Sequence, residues 1–176
     1  MSGAVYYKVV RRHNVPKENR PDEGAESPKM TPQLARLGPL SGRRVLVVED
    51  EYFLADDIAR ALIALGAEIV GPVGEVNEAA GIVDGKVGID AAIVDINLHS
   101  EMIFPVVRTL RARKVPLVFT TGYDKGSINA EFHDVLLWEK PLDIPAMARD
   151  LATLIGGGLK SANPGFVRRS PLYPAA

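Results

Sequence analysis

The chain contains no cysteine, which excludes disulfide bridges, thiolate zinc sites and a cysteine nucleophile. It has no apolar run near the roughly 18 residues that a membrane-spanning helix needs. Its first 20 residues also lack the apolar core of a secretory signal. We therefore expect a soluble, cytoplasmic protein without a membrane partner. Hydrophobic residues, by contrast, make up 47% of the 176 residues, enough for one globular domain.

Charge and proline content divide the chain into three parts. Residues 1–42 are basic and contain five prolines between residues 16 and 39, which predicts a flexible N-terminal extension. Residues 45–156 carry nine Lys and Arg against eighteen Asp and Glu, so we expect no nucleic-acid partner. Three glycines at 156–158 stop the last helix, and residues 157–176 are predicted to be a C-terminal tail. The domain is thus predicted at residues 43–156.

Within this domain, short apolar runs alternate with segments of helical periodicity. Strands are predicted at residues 45–48, 69–73, 89–94, 117–121 and 135–138. Helices are predicted at 52–65, where Gly66 closes the helix, at 75–83, around Val106–Leu110 with Pro105 near the start, and after Asp143 as N-cap. Residues 124–134 favour a helix least. The alternation predicts an α/β fold with a doubly wound, five-stranded parallel sheet covered on both faces.

Polar residues follow four of these strands at the point where each one ends. They are Glu49, Asp50 and Glu51, then Asp95, then Thr120 and Thr121, and finally Lys140. Because ligands bind at the carboxyl ends of parallel strands, we expect these groups to meet. Three carboxylates repel one another without a cation, and oxygen ligands alone favour Mg²⁺. A lysine and a hydroxyl nearby suit a phosphoryl group, which indicates phosphoryl transfer to an aspartate.

Four motifs, in this order, resemble the receiver domain of two-component response regulators. They are VLVVEDE from Val45, AAIVDINL from Ala91, VPLVFTTGY from Val115 and EKP from Glu139. The resemblance covers about residues 43–156 and implies a flavodoxin-like sheet with strand order 2-1-3-4-5.

The resemblance also implies a role for each polar residue at the strand ends. Asp95 would be the phosphoacceptor, and Thr121 and Lys140 would bind the phosphoryl group. The Mg²⁺ ligands would be Glu49, Asp50, Asp95 and the backbone carbonyl of Asn97. The bond between Lys140 and Pro141 would be cis.

Residues 116–123, PLVFTTGY, are similar to the PFxFATGY pattern of stand-alone receivers in alphaproteobacterial general stress signalling. Leu117 stands in place of Phe, and Thr120 in place of Ala. Receivers usually carry a switch aromatic three residues before the lysine, where this chain has Leu137. Strand alternation turns Trp138 to the opposite face, so Tyr123 is the candidate substitute.

The function that the resemblance implies is that of a single-domain response regulator. Asp95 would accept a phosphoryl group from a histidine kinase or phosphotransfer protein in a Mg²⁺-dependent reaction. The protein would catalyse its own phosphorylation and dephosphorylation and have no separate output enzyme. As a monomer or weak dimer, it would signal through protein contacts or serve as a phosphate sink or shuttle.

Two alternatives stay open. The first is a receiver-shaped interaction module that is never phosphorylated, against which the complete motif set argues. The second is a small phosphatase on a similar sheet, although the chain has no glycine-rich phosphate loop after its first strand and has Asn97 where a second acid would stand. Near the site, Glu51 is interpreted as a first-turn helix residue and His99 as a loop residue.

Overall fold

The computed structural model describes residues 38–122 and 128–158, and the backbone of 167–168. The strands are β1 (Arg44–Val48), β2 (Glu68–Val73), β3 (Ala91–Asp95), β4 (Asn97–Leu98), β5 (Glu101–Met102), β6 (Leu117–Thr121), β7 (Leu136–Glu139) and β8 (Val167–Arg168). The helices are α1 (Tyr52–Ala64), α2 (Val76–Asp84), α3 (Phe104–Ala112) and α4 (Ile144–Ile155). The predictions for residues 1–37, for Tyr123 and for most of the C-terminal tail lie outside the described residues.

The main sheet is parallel and has the order β2-β1-β3-β6-β7-β8. Its first five strands confirm the predicted order 2-1-3-4-5 and the doubly wound α/β fold. The sixth, β8, pairs with β7 over two residues and was not predicted, because two residues in a segment rich in Gly and Pro show no strand periodicity. The short strands β4 and β5 form a separate antiparallel hairpin directly after β3.

Apolar residues on both faces of the sheet form two hydrophobic clusters. Val47, Ile93 and Val118 face one cluster together with residues of α1 and α4. Val48, Val94 and Phe119 face the other, which α2 and α3 cover. The prediction that Leu137 and Trp138 face opposite sides of the sheet is confirmed, since each is buried in a different cluster. A strand with both faces buried has a continuous apolar sequence, and such runs predicted β1, β3 and β6.

The described residues between β6 and β7 contain less regular structure than the neighbouring elements. Of the segment predicted to be the poorest helix, residues 128–134 are described and contain a 3₁₀ turn, Ala130–Phe132, and no α-helix. The Asn129 side chain accepts a hydrogen bond from the Glu131 N–H, in agreement with the local competition that weakens helices. Phe132 is buried and stacks on Phe104 with ring centroids 5.0 Å apart, which fixes the turn against α3.

The predicted helix signals are confirmed at three places. The Asp143 side chain caps α4 by accepting a hydrogen bond of 3.0 Å from the Ala146 N–H. Pro105 lies in the first turn of α3. Gly66 ends α1 with φ +94, and its N–H donates to Ile63 O in a Schellman motif. The Lys140–Pro141 bond is cis, and Gly71–Pro72, which was not predicted to be cis, is cis as well.

Two Gly→Ala substitutions are expected to change stability in opposite directions. Gly66→Ala should lower the free energy of unfolding by about 1–2 kcal/mol, because φ is positive and the added Cβ would lie 2.7 Å from Ser41 Oγ. Gly81→Ala should raise it by about 0.5–1 kcal/mol, since this exposed helical position has open space around it. Urea denaturation followed by Trp138 fluorescence measures both, and equal signs would contradict the assigned backbone conformations.

Candidate functional site

Asp95 is the last residue of β3 and lies at the carboxyl edge of the sheet. Its register partner on β6 is Thr120, and Val48, the last residue of β1, pairs with Val94. The strands therefore bring the residues after β1 and the end of β6 to either side of Asp95. Asp95 as a whole residue is only 5% exposed, and its Oδ1 accepts a hydrogen bond of 3.0 Å from the Asn97 N–H. A buried acidic group with one fixed oxygen thus stands where ligands of such sheets bind.

Lys140 joins three carboxylates at this edge. Its Nζ donates to Asp95 Oδ2 and Glu51 Oε1, both at 2.7 Å, and to Glu49 Oε1 at 2.9 Å. Its backbone N–H donates to Thr121 O at 2.7 Å, which holds the ends of β6 and β7 together. Burial lowers the pKa of Lys140, but the hydrogen bonds to Asp95, Glu51 and Glu49 outweigh this and raise the pKa. The lysine therefore stays charged at neutral pH.

Glu49 has the largest pKa shift among the described carboxylates. Burial raises the pKa of Glu49 to about 7, and the charge of Asp95 adds to this effect while Lys140 opposes it. Its Oε1 also accepts from the Glu51 N–H at 3.3 Å. Its Oε2 is buried and, within the described part of the chain, has no hydrogen-bond partner. A buried carboxylate oxygen without a hydrogen-bond partner is costly, and a bound cation would offset that cost.

The residues present fit the Mg²⁺ that the sequence predicts. Carboxylate oxygens of Glu49, Asp50 and Asp95 lie within 4.8 Å of one another. All the donors are oxygen, which suits a hard divalent ion. Glu51 is not among the grouped carboxylates. The backbone carbonyl of Asn97 stays a predicted ligand.

Asp50 is held by the β4–β5 hairpin, a contact that the sequence did not reveal. Its Oδ2 accepts a hydrogen bond of 3.0 Å from the His99 N–H, and His99 Nδ1 lies 3.4 Å from the same oxygen. His99 and Ser100 form the two-residue turn with φ +48 and +71. Such turns normally carry Asn or Gly, so His-Ser gave no signal. His99 is a loop residue, as interpreted, and it also positions Asp50.

Thr121 occupies the position predicted for it at the end of a strand, whereas Glu51 lies one residue before its predicted place in the first turn of α1. Thr121 ends β6 and is 1% exposed, and its bond to a phosphoryl group stays a prediction. Thr120 is completely buried within the strand. Glu51 is the N-cap of α1, one position before the predicted first turn, and its side chain bonds to Lys140 without capping the helix. This pairing was missed, because it depends on a lysine 89 residues further along the chain.

Solved structures with this fold include SdrG from Sphingomonas melonis Fr1. It is 37% identical to this chain with a TM-score of 0.58, and the alignment covers 68% of this chain and 99% of SdrG. A response regulator receiver protein from Sinorhizobium medicae WSM419 is 20% identical with a TM-score of 0.58, over 66% of this chain and 97% of its own. A third structure is the receiver domain of the sensor histidine kinase PA1611 from Pseudomonas aeruginosa PAO1, solved with magnesium in its active site cleft. It is 24% identical with a TM-score of 0.56, and the alignment covers 66% of this chain and 99% of that domain.

The chain belongs to the family of response regulator receiver domains, as its likeness to SdrG and its fold together show. No protein-family model matches it, and no curated protein sequence does either. None of the helices in the described part of the chain has the length and hydrophobicity that crossing a bilayer requires.

Proposed function

We propose that this protein is a response regulator that acts as a single receiver domain and takes a phosphoryl group on Asp95. The observation that supports this most directly is the juxtaposition of a buried aspartate, two further carboxylates and a lysine at one edge of the sheet. A phosphohistidine of a sensor kinase or phosphotransfer protein is the proposed donor. The PFxFATGY-like motif supports a place in the stress-signalling subtype, and the alignment over 99% of SdrG supports a receiver that stands alone.

In the proposed reaction, an Asp95 carboxylate oxygen attacks the phosphorus of the donor. An O–P bond forms, the N–P bond breaks, and its electron pair returns to the imidazole nitrogen of the donor histidine. Glu49, Asp50 and Asp95 would hold Mg²⁺, whose positive charge offsets that of the carboxylates and of the phosphoryl oxygens. The Asn97 N–H fixes Asp95 Oδ1, and Lys140 is already at Oδ2, so the carboxylate is oriented before the donor arrives.

The phosphoryl group carries about −1.5 to −2 charges, in place of the single carboxylate charge of Asp95, at a buried edge of the sheet. Lys140 and the Thr121 hydroxyl would bind its oxygens. Thr121 ends β6, and the segment that follows leads to the 3₁₀ turn against α3. A displacement of Thr121 would therefore alter the surface next to α3, through which output to a partner protein is proposed.

Incubation with acetyl phosphate and Mg²⁺ tests this function. The intact protein should gain the mass of one phosphoryl group, and peptide mapping should locate it on Asp95. Asp95→Asn should remain unmodified, whereas Asp90→Asn, which removes a carboxylate from the other end of β3, should be modified like the wild type. An unmodified wild-type protein would favour the interaction module, and steady turnover of phosphate esters would favour the phosphatase.

A further inference from the structure

The two outermost strands of the five predicted ones, β2 and β7, differ in how they resist pairing with another chain. An outermost strand presents a row of unpaired backbone groups, which a further strand can join. β2 carries features that oppose this, because Pro72 lacks an N–H, Gly71 has φ +95, and the pairing with β1 shifts register between Leu46 and Val48. β2 is therefore a poor partner for another strand.

β7, on the opposite side of the sheet, has none of these features within its four residues. Leu136–Glu139 include neither Gly nor Pro and pair with β6 without a shift in register. Three of the four are apolar, and both Leu137 and Trp138 are buried. A regular apolar strand of this kind is prone to associate with other chains wherever its backbone is left open.

The outer side of β7 is the side of its backbone that points away from β6. The Lys140 N–H donates to Thr121 O on β6. Because successive N–H groups of a strand alternate in direction, those of Leu137 and Glu139 point to the outer side. β8 lies on this side, parallel to β7, and pairs with it over two residues. The chain's own C-terminal segment thus covers the part of β7 that would otherwise be open.

The pairing is short, but the covering strand belongs to the same chain as the strand it covers. β7, α4 and β8 follow one another along the chain and form a β-α-β unit, the usual connection between parallel neighbours. Docking of β8 is therefore intramolecular. A pairing of two residues can hold under these conditions, whereas a free peptide making the same contacts would not stay bound.

We propose that the outer side of β7 is a strand-docking site, and that the segment Val167–Arg168 occupies it and so prevents a second copy of the chain from pairing there. A second copy offers the same strand, and two open β7 strands would join in an antiparallel pair about a twofold axis, as identical surfaces do. The segment therefore acts as a cover that keeps the sheets of two molecules apart. This role does not depend on phosphorylation of Asp95.

The double variant Val167→Pro/Arg168→Pro, made in the full chain, tests the proposal because it removes both N–H donors of β8. Hydrogen exchange measured by NMR should show the Leu137 and Glu139 amides exchanging about tenfold faster than in wild type, the effect of one lost hydrogen bond. The Lys140 amide, which points to β6, should exchange at the wild-type rate and so show that the sheet is intact.

Sedimentation velocity over a range of concentrations measures the consequence for association. The double variant should shift to a species of twice the chain mass at a lower concentration than wild type. Leu172→Pro, which adds a proline to the C-terminal segment outside β8, is the control and should match wild type in both measurements. Unchanged exchange of the Leu137 and Glu139 amides would show that β8 does not occupy the site. Faster exchange with an unchanged mass distribution would show that the open site does not recruit a second copy, and either result overturns the proposal.

Discussion

Lys140→Met is expected to lower the free energy of unfolding by about 3 kcal/mol in magnesium-free buffer at pH 8. The substitution keeps most of the aliphatic chain but removes the charge that Glu49 and Asp95 share. Both carboxylates are almost completely buried, so water cannot replace the ammonium group. Removal of one partner from a buried ion pair leaves an uncompensated charge, which is far more costly than loss of a surface pair.

The loss should depend on pH in a defined direction. Burial already raises the pKa of Glu49 to about 7 against the opposing effect of Lys140, so without the lysine this pKa rises further. A carboxyl whose folded pKa exceeds its unfolded value contributes stability at low pH and loses it as pH rises through the folded pKa. Protonation of Glu49 relieves the unpaired charge in the variant at little cost at pH 5, near the unfolded pKa, but at a much larger cost at pH 8. The difference from wild type should therefore be smaller at pH 5.

Urea denaturation followed by the fluorescence of Trp138, the single tryptophan, measures this difference at both pH values. Addition of Mg²⁺ at pH 8 should recover part of the loss, because a cation then replaces the missing charge. Lys86→Met is the control, since this exposed lysine lies in the loop between α2 and β3. A loss below about 1 kcal/mol, or one independent of pH, would show that Lys140 does not neutralise the buried carboxylates.

The sheet could be predicted from the sequence because its central strands are buried on both faces. Residues 117–121 were predicted as a strand and form β6 with the same bounds. The third strand was predicted from Ile89 but begins at Ala91, because the Asp90 carboxylate accepts the Arg44 N–H at 2.8 Å and ends the regular pairing. Boundaries of this kind depend on one side chain, which hydrophobic periodicity does not record.

The site was predictable in its composition and less so in its bonding. Asp95 and Lys140 were recognisable because a parallel sheet brings the ends of its strands together. The sequence did not show which acidic residues Lys140 would bind, because that choice depends on side-chain conformations across separate loops. The His99 contact to Asp50 likewise depends on a tight turn formed by two residues that rarely adopt positive φ.

Asp50→Asn is expected to reduce the rate of Asp95 phosphorylation about 100-fold at a Mg²⁺ concentration that is subsaturating for the wild type. Asp50 supplies one of the three carboxylates grouped at the site, and a neutral amide is a weaker ligand for a hard cation. Asparagine keeps an oxygen that can accept the His99 N–H, so the hairpin should stay in place.

The substitution separates metal binding from stability, because Asp50 is held by His99 whereas Lys140 binds Glu49, Glu51 and Asp95. The free energy of unfolding without Mg²⁺ should therefore stay within about 1 kcal/mol of wild type, unlike that of Lys140→Met. A Mg²⁺ titration of the phosphorylation rate should show a curve shifted to higher concentration. Asp84→Asn, an exposed carboxylate at the end of α2, should leave the curve unchanged. If Asp50→Asn gave the wild-type curve, the ion would have to bind without Asp50, and the grouping of the three carboxylates would have no part in the reaction.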